Sequence, residues 1–391
     1  MKRVLVLDAD QRSALAVVRS LGQHGVPLIT ADESPAALAG CSRFSQGYFT
    51  IPSPGQTPEE FVPAIVRLCR EQGIDIVLPM IELTVTLLLE HQADLPDTTI
   101  PLPDFQTFES LTDKCALMRQ AESLGIPIPH TRYADGRDSF QFRLEDLPYP
   151  LVLKPGKSWL RTQGKWCRYG VQFAETPLEA HQLIDSSPAF QAHPFLLQAC
   201  VPGQGAGIFA LYDHGQPLAF FAHRRLREKP PRGGVSTLSE SVALDPELLS
   251  SARALLDAVA WHGIAMVEFK VSDDGRAYLM EVNTRFWGSL QLAVDAGTDF
   301  PWLLYQLACG EHPDPVSDYR TGIRLRWLLG DLDNLYLTLK DSNQYAVFEK
   351  LKAILVFLMP SLSRTRHEVN RWNDLAPSWY ELKQYVRNLL V

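Results

Sequence analysis

Three polar side chains alternate along one short segment, AYLMEVNTRFWG, in the last third of the chain. Side chains two residues apart in an extended strand point to the same face, so Glu281, Asn283 and Arg285 would form one row. The residues between them, such as Val282, would point to the other face. A row that combines a carboxylate, a carboxamide and a guanidinium marks this segment as a candidate site.

A second carboxylate reaches the same face through a hairpin with the preceding segment, IAMVEFKV. If Asp273–Arg276 form a four-residue loop, Glu268 lies opposite Glu281 and Met266 lies opposite Asn283. Like charges directly across a sheet cost about 0.2–1 kcal/mol unless a cation lies between them. All three polar side chains offer oxygen, so we expect Glu268, Glu281 and Asn283 to bind Mg²⁺, with Mn²⁺ as an alternative.

Two lysines occupy positions that favour an anionic ligand. Lys114 lies in the first turn of a helix predicted over residues 113–124, where a cation opposes the helix dipole by about 0.3–1 kcal/mol. Lys154 ends the predicted strand YPLVLKP, just before Pro155 interrupts the ladder. Solvated lysines remain the alternative for both positions. For the carboxylate hairpin, the alternative is an exposed sheet face on which Lys270 shields the charges.

The composition is typical of a globular protein that binds small molecules. The chain has 391 residues, 46% hydrophobic and 21% charged, enough for two or three domains with separate cores. A net charge of -8 disfavours nucleic acid and anionic membranes as partners. The six cysteines have no C-x-x-C spacing, and the N-terminus lacks the apolar run of a secretory signal. We therefore expect a cytoplasmic protein with no membrane span.

Alternating strand and helix patterns predict an open α/β domain over residues 1–103. The turn after its first strand, DADQRSA, has no glycine, which excludes a dinucleotide-binding fingerprint there. The pattern predicts strands at 3–8, 26–32 and 75–80 and helices at 12–22 and 58–72.

The rest of the chain divides into a central domain at 104–311 and a C-terminal extension at 312–391. The central domain contains a predicted strand at 195–201, a glycine-rich bend, and a hairpin that turns at Asp213–Gly215. A strand follows the bend, so its glycines serve backbone geometry and not phosphate binding at a helix end. Near the C-terminus, AILVFLMP at 353–360 is shorter than the roughly 20 residues that span a bilayer and is predicted to be a buried helix.

Five motifs in order make the chain resemble the ATP-grasp superfamily, in particular its branch around carbamoyl phosphate synthetase and biotin carboxylase. They are the Asp113–Lys114 helix start with its LGIPIP end, LVLKP, LLQACVPG, AMVEFK and LMEVNTRFWGSLQ, within residues 104–310. The resemblance implies an α/β and α+β protein. Its parts are an open α/β pre-ATP-grasp domain, a two-subdomain ATP-grasp fold and a mainly helical C-terminal extension; residues 312–391 match no motif.

The resemblance assigns the nucleotide site to two lysines and one hinge. Lys114 and Lys154 would contact the ATP phosphates. The loop after Lys154, GKSWLRTQGKWCRYG, is less glycine-rich than the superfamily's phosphate loop, so the sequence does not assign it to the triphosphate. At the hinge, a glutamine stands where many relatives carry an acidic residue. The hinge that holds adenine between the subdomains would be Gln198, Ala199, Cys200 and Val201.

The same resemblance assigns the metal site and the catalytic residues. Glu268, Glu281 and Asn283 would hold one or two Mg²⁺ ions that bridge the phosphates. Arg285 would steady the transferred phosphoryl group, with Lys154 as the second catalytic residue. Phosphoryl transfer depends mainly on positioning and charge neutralisation, which agrees with this set of residues.

A basic segment, HRRLREKPPRGGVST at residues 223–237, departs from the acidic average of the chain. Arginine binds carboxylate and phosphate through two parallel hydrogen bonds, so this segment is suited to an acidic substrate or the γ-phosphate. We expect Arg225, Arg227 and Ser289 to contact the substrate. A solvated loop and a weak nucleic-acid patch remain the alternatives for the segment, which also contains Arg232.

These residues predict an ATP-dependent ligase that activates a carboxylate as an acyl phosphate, which an amine attacks to give an amide, ADP and phosphate. Its partners would be small-molecule carboxylates and amines, and a homodimer is one option for its assembly. Two alternatives stay open: bicarbonate activation of the carbamoyl phosphate type, and an ATP-binding module that regulates or scaffolds a partner. We expect the scattered histidines to be structural: His24, His130, His193 and His262.

Overall fold

A parallel layer of four strands opens the chain in this computed structural model, which describes residues 1–139, 142–162, 164–231, 234–341, 345–359 and 365–390. Its strands β1–β4 are Val4–Val6, Leu28–Asp32, Tyr48–Thr50 and Ile76–Leu78, and its helices α1–α4 are Arg12–Gln23, Pro58–Gln72, Glu82–Glu90 and Phe105–Thr112. The strand order is β3-β2-β1-β4, and the strands run parallel. The predicted strands and helices of this layer are confirmed.

A small antiparallel sheet follows. Its elements in chain order are α5 Lys114–Ser123, β5 Thr131–Ala134, β6 Leu151–Pro155, β7 Trp159–Thr162, β8 Lys165–Arg168, β9 Gln172–Ala174, α6 Pro177–Ser186, α7 Pro188–Gln191 and β10 Phe195–Ala199. The strand order is β5-β10-β6-β9, while β7 and β8 pair as a separate hairpin. Leu153, Leu197 and Phe190 are among the buried side chains that pack the helices on this sheet.

The largest sheet has seven strands in the order β15-β14-β11-β12-β13-β16-β17. Its elements in chain order are β11 Gln204–Asp213, β12 Gln216–Lys229, β13 Val235–Ser241, α8 Pro246–Asp257, β14 Gly263–Val271, β15 Ala277–Asn283, α9 Leu290–Ala296, α10 Phe300–Ala308, β16 Arg324–Arg326 and β17 Thr365–His367. The predicted glycine-rich bend is shorter than expected, because Gly205 and Gly207 lie within β11 and pair with β14. Gly203, which precedes β11, has the predicted role in backbone geometry. A Cβ at Gly203 would lie 2.1 Å from the carbonyl oxygen of Val271, too close for any side chain.

The C-terminal part is mainly helical, as predicted, with α11 Leu328–Lys340, α12 Val347–Leu358 and α13 Ala376–Leu389. It also extends the large sheet, because β16 pairs antiparallel with β13 and β17 pairs parallel with β16.

The predicted burial of the apolar run at 353–360 is wrong. None of the residues of α12 is buried, and Leu355 is 65% exposed. The helix is held from one side, where Arg326 donates to the carbonyl oxygen of Phe357 at 3.1 Å. An apolar run therefore marks a helix without showing that another element covers it. Pro360 lies outside the described residues, and no described helix is long and apolar enough to cross a membrane.

One hydrophobic cluster joins the N-terminal layer to the large sheet. Val6 of β1 shares it with Phe209 of β11 and with Trp287, which follows β15. The Trp287 ring lies 4.3 Å from that of Phe209 and 5.2 Å from that of Phe300, centroid to centroid. The segment after β15 is therefore anchored where the N-terminal layer meets the large sheet.

Candidate active site

The β14–β15 hairpin brings the two predicted carboxylates together. Glu268 pairs with Glu281, and Met266 pairs with Asn283, which confirms the predicted register. Because the four residues occupy neighbouring positions of adjacent strands, the polar row on β15 faces a carboxylate on β14.

The loop of this hairpin differs from the predicted one. Val271 pairs with Ala277, so five residues rather than four lie between the strands. A β-bulge at Met280 then restores the predicted pairing, because Phe269 pairs with Leu279 on one side of it. Bulges commonly re-aim side chains beside functional sites, and this one lies directly next to Glu281 in the sequence.

Asn283 connects the members of the cluster. Its Nδ2 donates to Oε1 of Glu268 at 2.9 Å and to Oε1 of Glu281 at 3.4 Å. Its Oδ1 accepts a hydrogen bond from Nη2 of Arg285 at 3.4 Å. On the β14 side, Nη2 of Arg225 donates to Oε2 of Glu268 at 2.8 Å. Asn283 on β15 and Arg225 on β12 thus hold Glu268 from two sides, and Asn283 also contacts Glu281.

The electrostatic surroundings shift the pKa values of the two carboxylates in opposite directions. Burial raises the pKa of Glu268, and the nearby charge of Glu281 adds to this, while Arg225 opposes it. Burial also acts to raise the pKa of Glu281, but Lys114 and Lys154 hold that pKa below its ordinary value. Glu281 is therefore an ionised oxygen donor at neutral pH, as a metal ligand must be.

A short loop places Lys114 beside the end of β6. Asp113 caps α5 by accepting from the backbone amides of Cys115 and Ala116, so the helix begins at Lys114. The Lys114 amide donates to the carbonyl oxygen of Gly156 at 2.8 Å, and its Nζ donates to Oγ of Ser158 at 3.0 Å. The predicted first-turn position of Lys114 is confirmed, and Ser158 is a contact that sequence reasoning missed.

Lys154 is buried at the end of β6, with 9% of its surface exposed. Burial lowers its pKa to about 8, while Glu281 and Glu268 act in the opposite direction. An ammonium ion with so little water around it needs an anionic partner to remain charged. A phosphate group would supply that charge, which supports the nucleotide-binding prediction over that of a solvated strand-end lysine.

The hinge segment contains a buried acceptor without a partner. The Gln198 side chain is 1% exposed, and its Nε2 donates to Oγ1 of Thr131 at 3.1 Å, but its Oε1 has no hydrogen bond within the described residues. The amides of Ala199 and Cys200 donate to the carbonyl oxygens of His130 and Pro150. The free oxygen of Gln198 thus fits a donor such as the amino group of adenine.

Arg285 is positioned by the buried aromatic residues that follow it in the chain, and the carboxylate of Glu82 acts on its charge. Phe286 and Trp287, which follow it, are 1% and 3% exposed, and Nη1 of Arg285 donates to the carbonyl oxygen of Phe286 at 2.9 Å. Burial lowers the pKa of Arg285, while the carboxylate of Glu82, at the start of α3, acts against this. Glu82 has no signal in the sequence, because only the fold brings α3 to this site.

The three predicted substrate residues lie in different surroundings. Arg225 contacts Glu268 as described, and its Nη1 lies 3.2 Å from Oε1 of Glu228. Arg227 binds the buried carboxylate of Asp331 through two hydrogen bonds of 2.5 and 2.7 Å, so its guanidinium links β12 to α11. Ser289 is half-buried before α9. Arg232 lies outside the described residues.

The loop after Lys154 forms the β7–β8 hairpin, which reaches the N-terminal domain. The Trp166 amide donates to the carbonyl oxygen of Gly55 at 3.0 Å. Trp159 and Trp166 pack against the core of the N-terminal layer. Trp159 and Trp166 therefore dock this hairpin on the N-terminal layer.

The donor set fits the expected ligands. Glu268 and Glu281 present carboxylate oxygens, the preference of Mg²⁺, and a rotated Asn283 carboxamide would add Oδ1 in place of the Nδ2 that now faces both carboxylates. The buried Lys114 and Lys154 can bind phosphate. Both features lie within one cluster where the small and large sheets meet.

The fold of the chain resembles that of ATP-grasp proteins. Residues 191–330 match the family model described as ATP-grasp in the biosynthetic pathway with Ter operon. No curated protein matches the chain by sequence. The predicted resemblance and fold class are confirmed.

Three solved structures illustrate the likeness. L-amino acid ligase from Bacillus licheniformis has a TM-score of 0.62 and 17% identity, over 79% of this chain and 74% of that one. Biotin carboxylase from Campylobacter jejuni, in complex with β,γ-ATP, has a TM-score of 0.64 and 15% identity, over 82% and 74%. N5-carboxyaminoimidazole synthetase from Staphylococcus aureus has a TM-score of 0.64 and 13% identity, over 88% and 86%. At these identities the likeness is one of fold.

Proposed function

We propose that this protein is an ADP-forming ligase that joins a small-molecule carboxylate to an amine, with ATP as the energy source. The observation that carries the proposal is the cluster of Glu268, Glu281 and Asn283 beside the buried Lys154. Oxygen ligands next to a lysine that lacks water suit a metal-bound triphosphate. The L-amino acid ligase whose fold is similar supports a carboxylate and an amine as the substrates.

The reaction has two steps in this proposal. A carboxylate oxygen bonds to the γ-phosphorus as the bond to ADP breaks, which gives an acyl phosphate. The amine nitrogen then bonds to the acyl carbon as phosphate leaves and the nitrogen loses a proton. No covalent bond to the protein is needed, so the residues act by charge and position.

Each charged residue has a task in the first step. Mg²⁺, held by Glu268, Glu281 and Asn283, would neutralise the outer phosphates. Lys114 and Lys154 bind phosphate oxygens, and Arg285 stabilises the charge that develops on the transferred group. Because the side chains are buried or half-buried, few water molecules compete with the amine for the acyl phosphate.

The nucleotide and substrate contacts complete the proposal. The Gln198–Val201 segment holds adenine, with the unpaired Oε1 of Gln198 as the acceptor. Arg225, which already touches Glu268, and Ser289 are the substrate contacts we favour, whereas Arg227 is engaged by Asp331. We place the reaction in the cytoplasm, where ATP is supplied.

Hydroxylamine tests this function without knowledge of the natural amine. Protein, ATP and Mg²⁺ are incubated with a panel of carboxylates and hydroxylamine, and products are identified by mass spectrometry. The proposal predicts ADP, phosphate and a hydroxamate for the accepted carboxylate, with Glu281→Gln as the inactive control. AMP and pyrophosphate would indicate adenylation and refute the mechanism.

Two other outcomes of the same experiment would support the alternative functions. ADP release that requires bicarbonate and no other carboxylate would identify the carbamoyl phosphate type of reaction. MgATP binding without ADP release for any carboxylate would favour the module that regulates or scaffolds a partner.

A further inference from the structure

A second polar cluster lies at the opposite end of β11 from the carboxylate hairpin. Gly207 lies opposite Glu268, and Asp213 is six residues further on, roughly 20 Å along an extended strand. Asp213 ends β11, and two imidazoles flank it, from His214 in the following turn and from His262 just before β14.

A third imidazole contacts the other oxygen of the same carboxylate, outside the group formed by Asp213, His214 and His262. Nδ1 of His312, in the loop after α10, lies 3.6 Å from Oδ2 of Asp213. Oδ1 of the same carboxylate lies 3.5 Å from Nδ1 of His262 and 3.9 Å from Nε2 of His214. In a tetrahedral zinc site, bonds of about 2.0–2.1 Å place the ligand atoms roughly 3.4 Å apart. The observed distances are close to that spacing.

Two turns hold these side chains in place. The turn at the end of β11 has positive φ at both central residues, 44° for His214 and 83° for Gly215, as a tight hairpin turn requires. The Gly215 amide donates to the carbonyl oxygen of the buried Trp261 at 2.7 Å. The backbone therefore fixes His214 beside His262, whose rings stack with centroids 4.1 Å apart.

The donor atoms of the cluster lie close to one another. One ligand atom each from Asp213, His214 and His262 lies within 4.8 Å of the other two. Imidazole nitrogens and a carboxylate oxygen are donors that Zn²⁺ prefers.

We propose that Asp213, His214 and His262 bind one transition-metal ion of the zinc class. Nitrogen-rich ligands favour Zn²⁺ over Mg²⁺, so this site differs in chemistry as well as in place from the oxygen cluster at Glu268. Three protein ligands leave the fourth tetrahedral position to a water molecule. The ion joins the β11–β12 turn to the turn before β14.

Zinc titration of the tag-free full chain tests the site. The protein is first freed of metal with a chelator, then titrated with Zn²⁺ in a calorimeter under saturating Mg²⁺, which occupies the oxygen cluster. A parallel titration with Co²⁺ reports the coordination number through its visible absorption. We expect one Zn²⁺ per chain and the intense absorption of four-coordinate Co²⁺.

Two ligand variants and one control decide the assignment. His214→Asn suits the positive φ of the turn, and His262→Gln retains polarity; each should weaken Zn²⁺ binding roughly 100-fold or more. His91→Ala removes a comparable surface histidine, 3.3 Å from Asp94, and should leave binding unchanged. Absence of saturable Zn²⁺ binding to the wild type, or binding to both ligand variants within about threefold of the wild type, would overturn the proposal. ADP release is measured separately, so failure of this site leaves the ligase proposal standing.

Discussion

The buried charge of Lys154 lowers the free energy of unfolding, so replacement of Lys154 by an uncharged residue should raise it. The side chain is 9% exposed, and burial is the main cause of the fall in its pKa from 10.5 to about 8. A tenfold change in an ionisation constant corresponds to about 1.4 kcal/mol, so a charged Lys154 costs the native state about 3 kcal/mol at pH 7. Lys154→Met is similar in length and uncharged. We therefore expect it to raise the free energy of unfolding by up to about 3 kcal/mol.

The pH dependence of this gain follows from the sign of the shift. Between about pH 8 and 10.5, the unfolded chain keeps the Lys154 proton that the folded chain has lost, so the stability of the wild type rises through this window. The advantage of Lys154→Met should be full below pH 8 and should shrink as the pH rises toward 10.5. Groups whose pKa does not depend on Lys154 cancel in this difference.

Urea denaturation without nucleotide, at pH 7 and pH 9.5, measures the effect. Lys352→Met, which replaces an exposed lysine on α12, is the matched control and should change neither stability nor nucleotide binding. In calorimetry, Lys154→Met should weaken MgATP binding roughly 10- to 100-fold, because a hydrogen bond to a charged group contributes about 1.5–3 kcal/mol. A Lys154→Met protein that is less stable than the wild type at pH 7, or that binds MgATP equally well, would refute the reasoning.

Three further substitutions separate catalysis, stability and nucleotide binding. Glu281→Gln should keep the fold, as judged by circular dichroism, and reduce Mg²⁺-dependent ADP release by about 100-fold or more; wild-type turnover would remove the metal assignment. Arg227→Ala removes two hydrogen bonds from the buried Asp331, which keeps its pair with Arg326, so it should lower the free energy of unfolding by about 1.5–3 kcal/mol in urea denaturation without changing MgATP affinity. Gln198→Leu should weaken MgATP binding about 10-fold in calorimetry, whereas Gln198→Glu, which keeps an acceptor, should stay within about threefold of the wild type.

The elements of the N-terminal layer could be predicted because buried parallel strands carry unbroken apolar runs. RVLVLD and DIVLPM show such runs, and the strands Val4–Val6 and Ile76–Leu78 lie within them. The same reasoning was wrong about the burial of α12. Its apolar residues predicted a core position, but burial depends on whether another part of the fold covers the helix.

The carboxylate pair could be predicted because strand pairing depends on simple counting. The prediction placed Glu268 opposite Glu281 with a loop one residue too short, and the bulge at Met280 compensates for that residue. Local patterns give no signal for a bulge of this kind. Contacts such as that of Lys114 with Ser158 arise between elements distant in sequence, so only the folded chain reveals them.

The path of one oxygen atom is the most direct test of ligase chemistry. The carboxylate that gives the largest ADP release is labelled with ¹⁸O in its carboxyl group and incubated with protein, ATP, Mg²⁺ and an amine. The acyl phosphate mechanism predicts that one labelled oxygen passes to inorganic phosphate in each turnover, visible as an isotope shift in phosphorus NMR. Unlabelled phosphate, or label in AMP, would contradict activation of the carboxylate by the γ-phosphate.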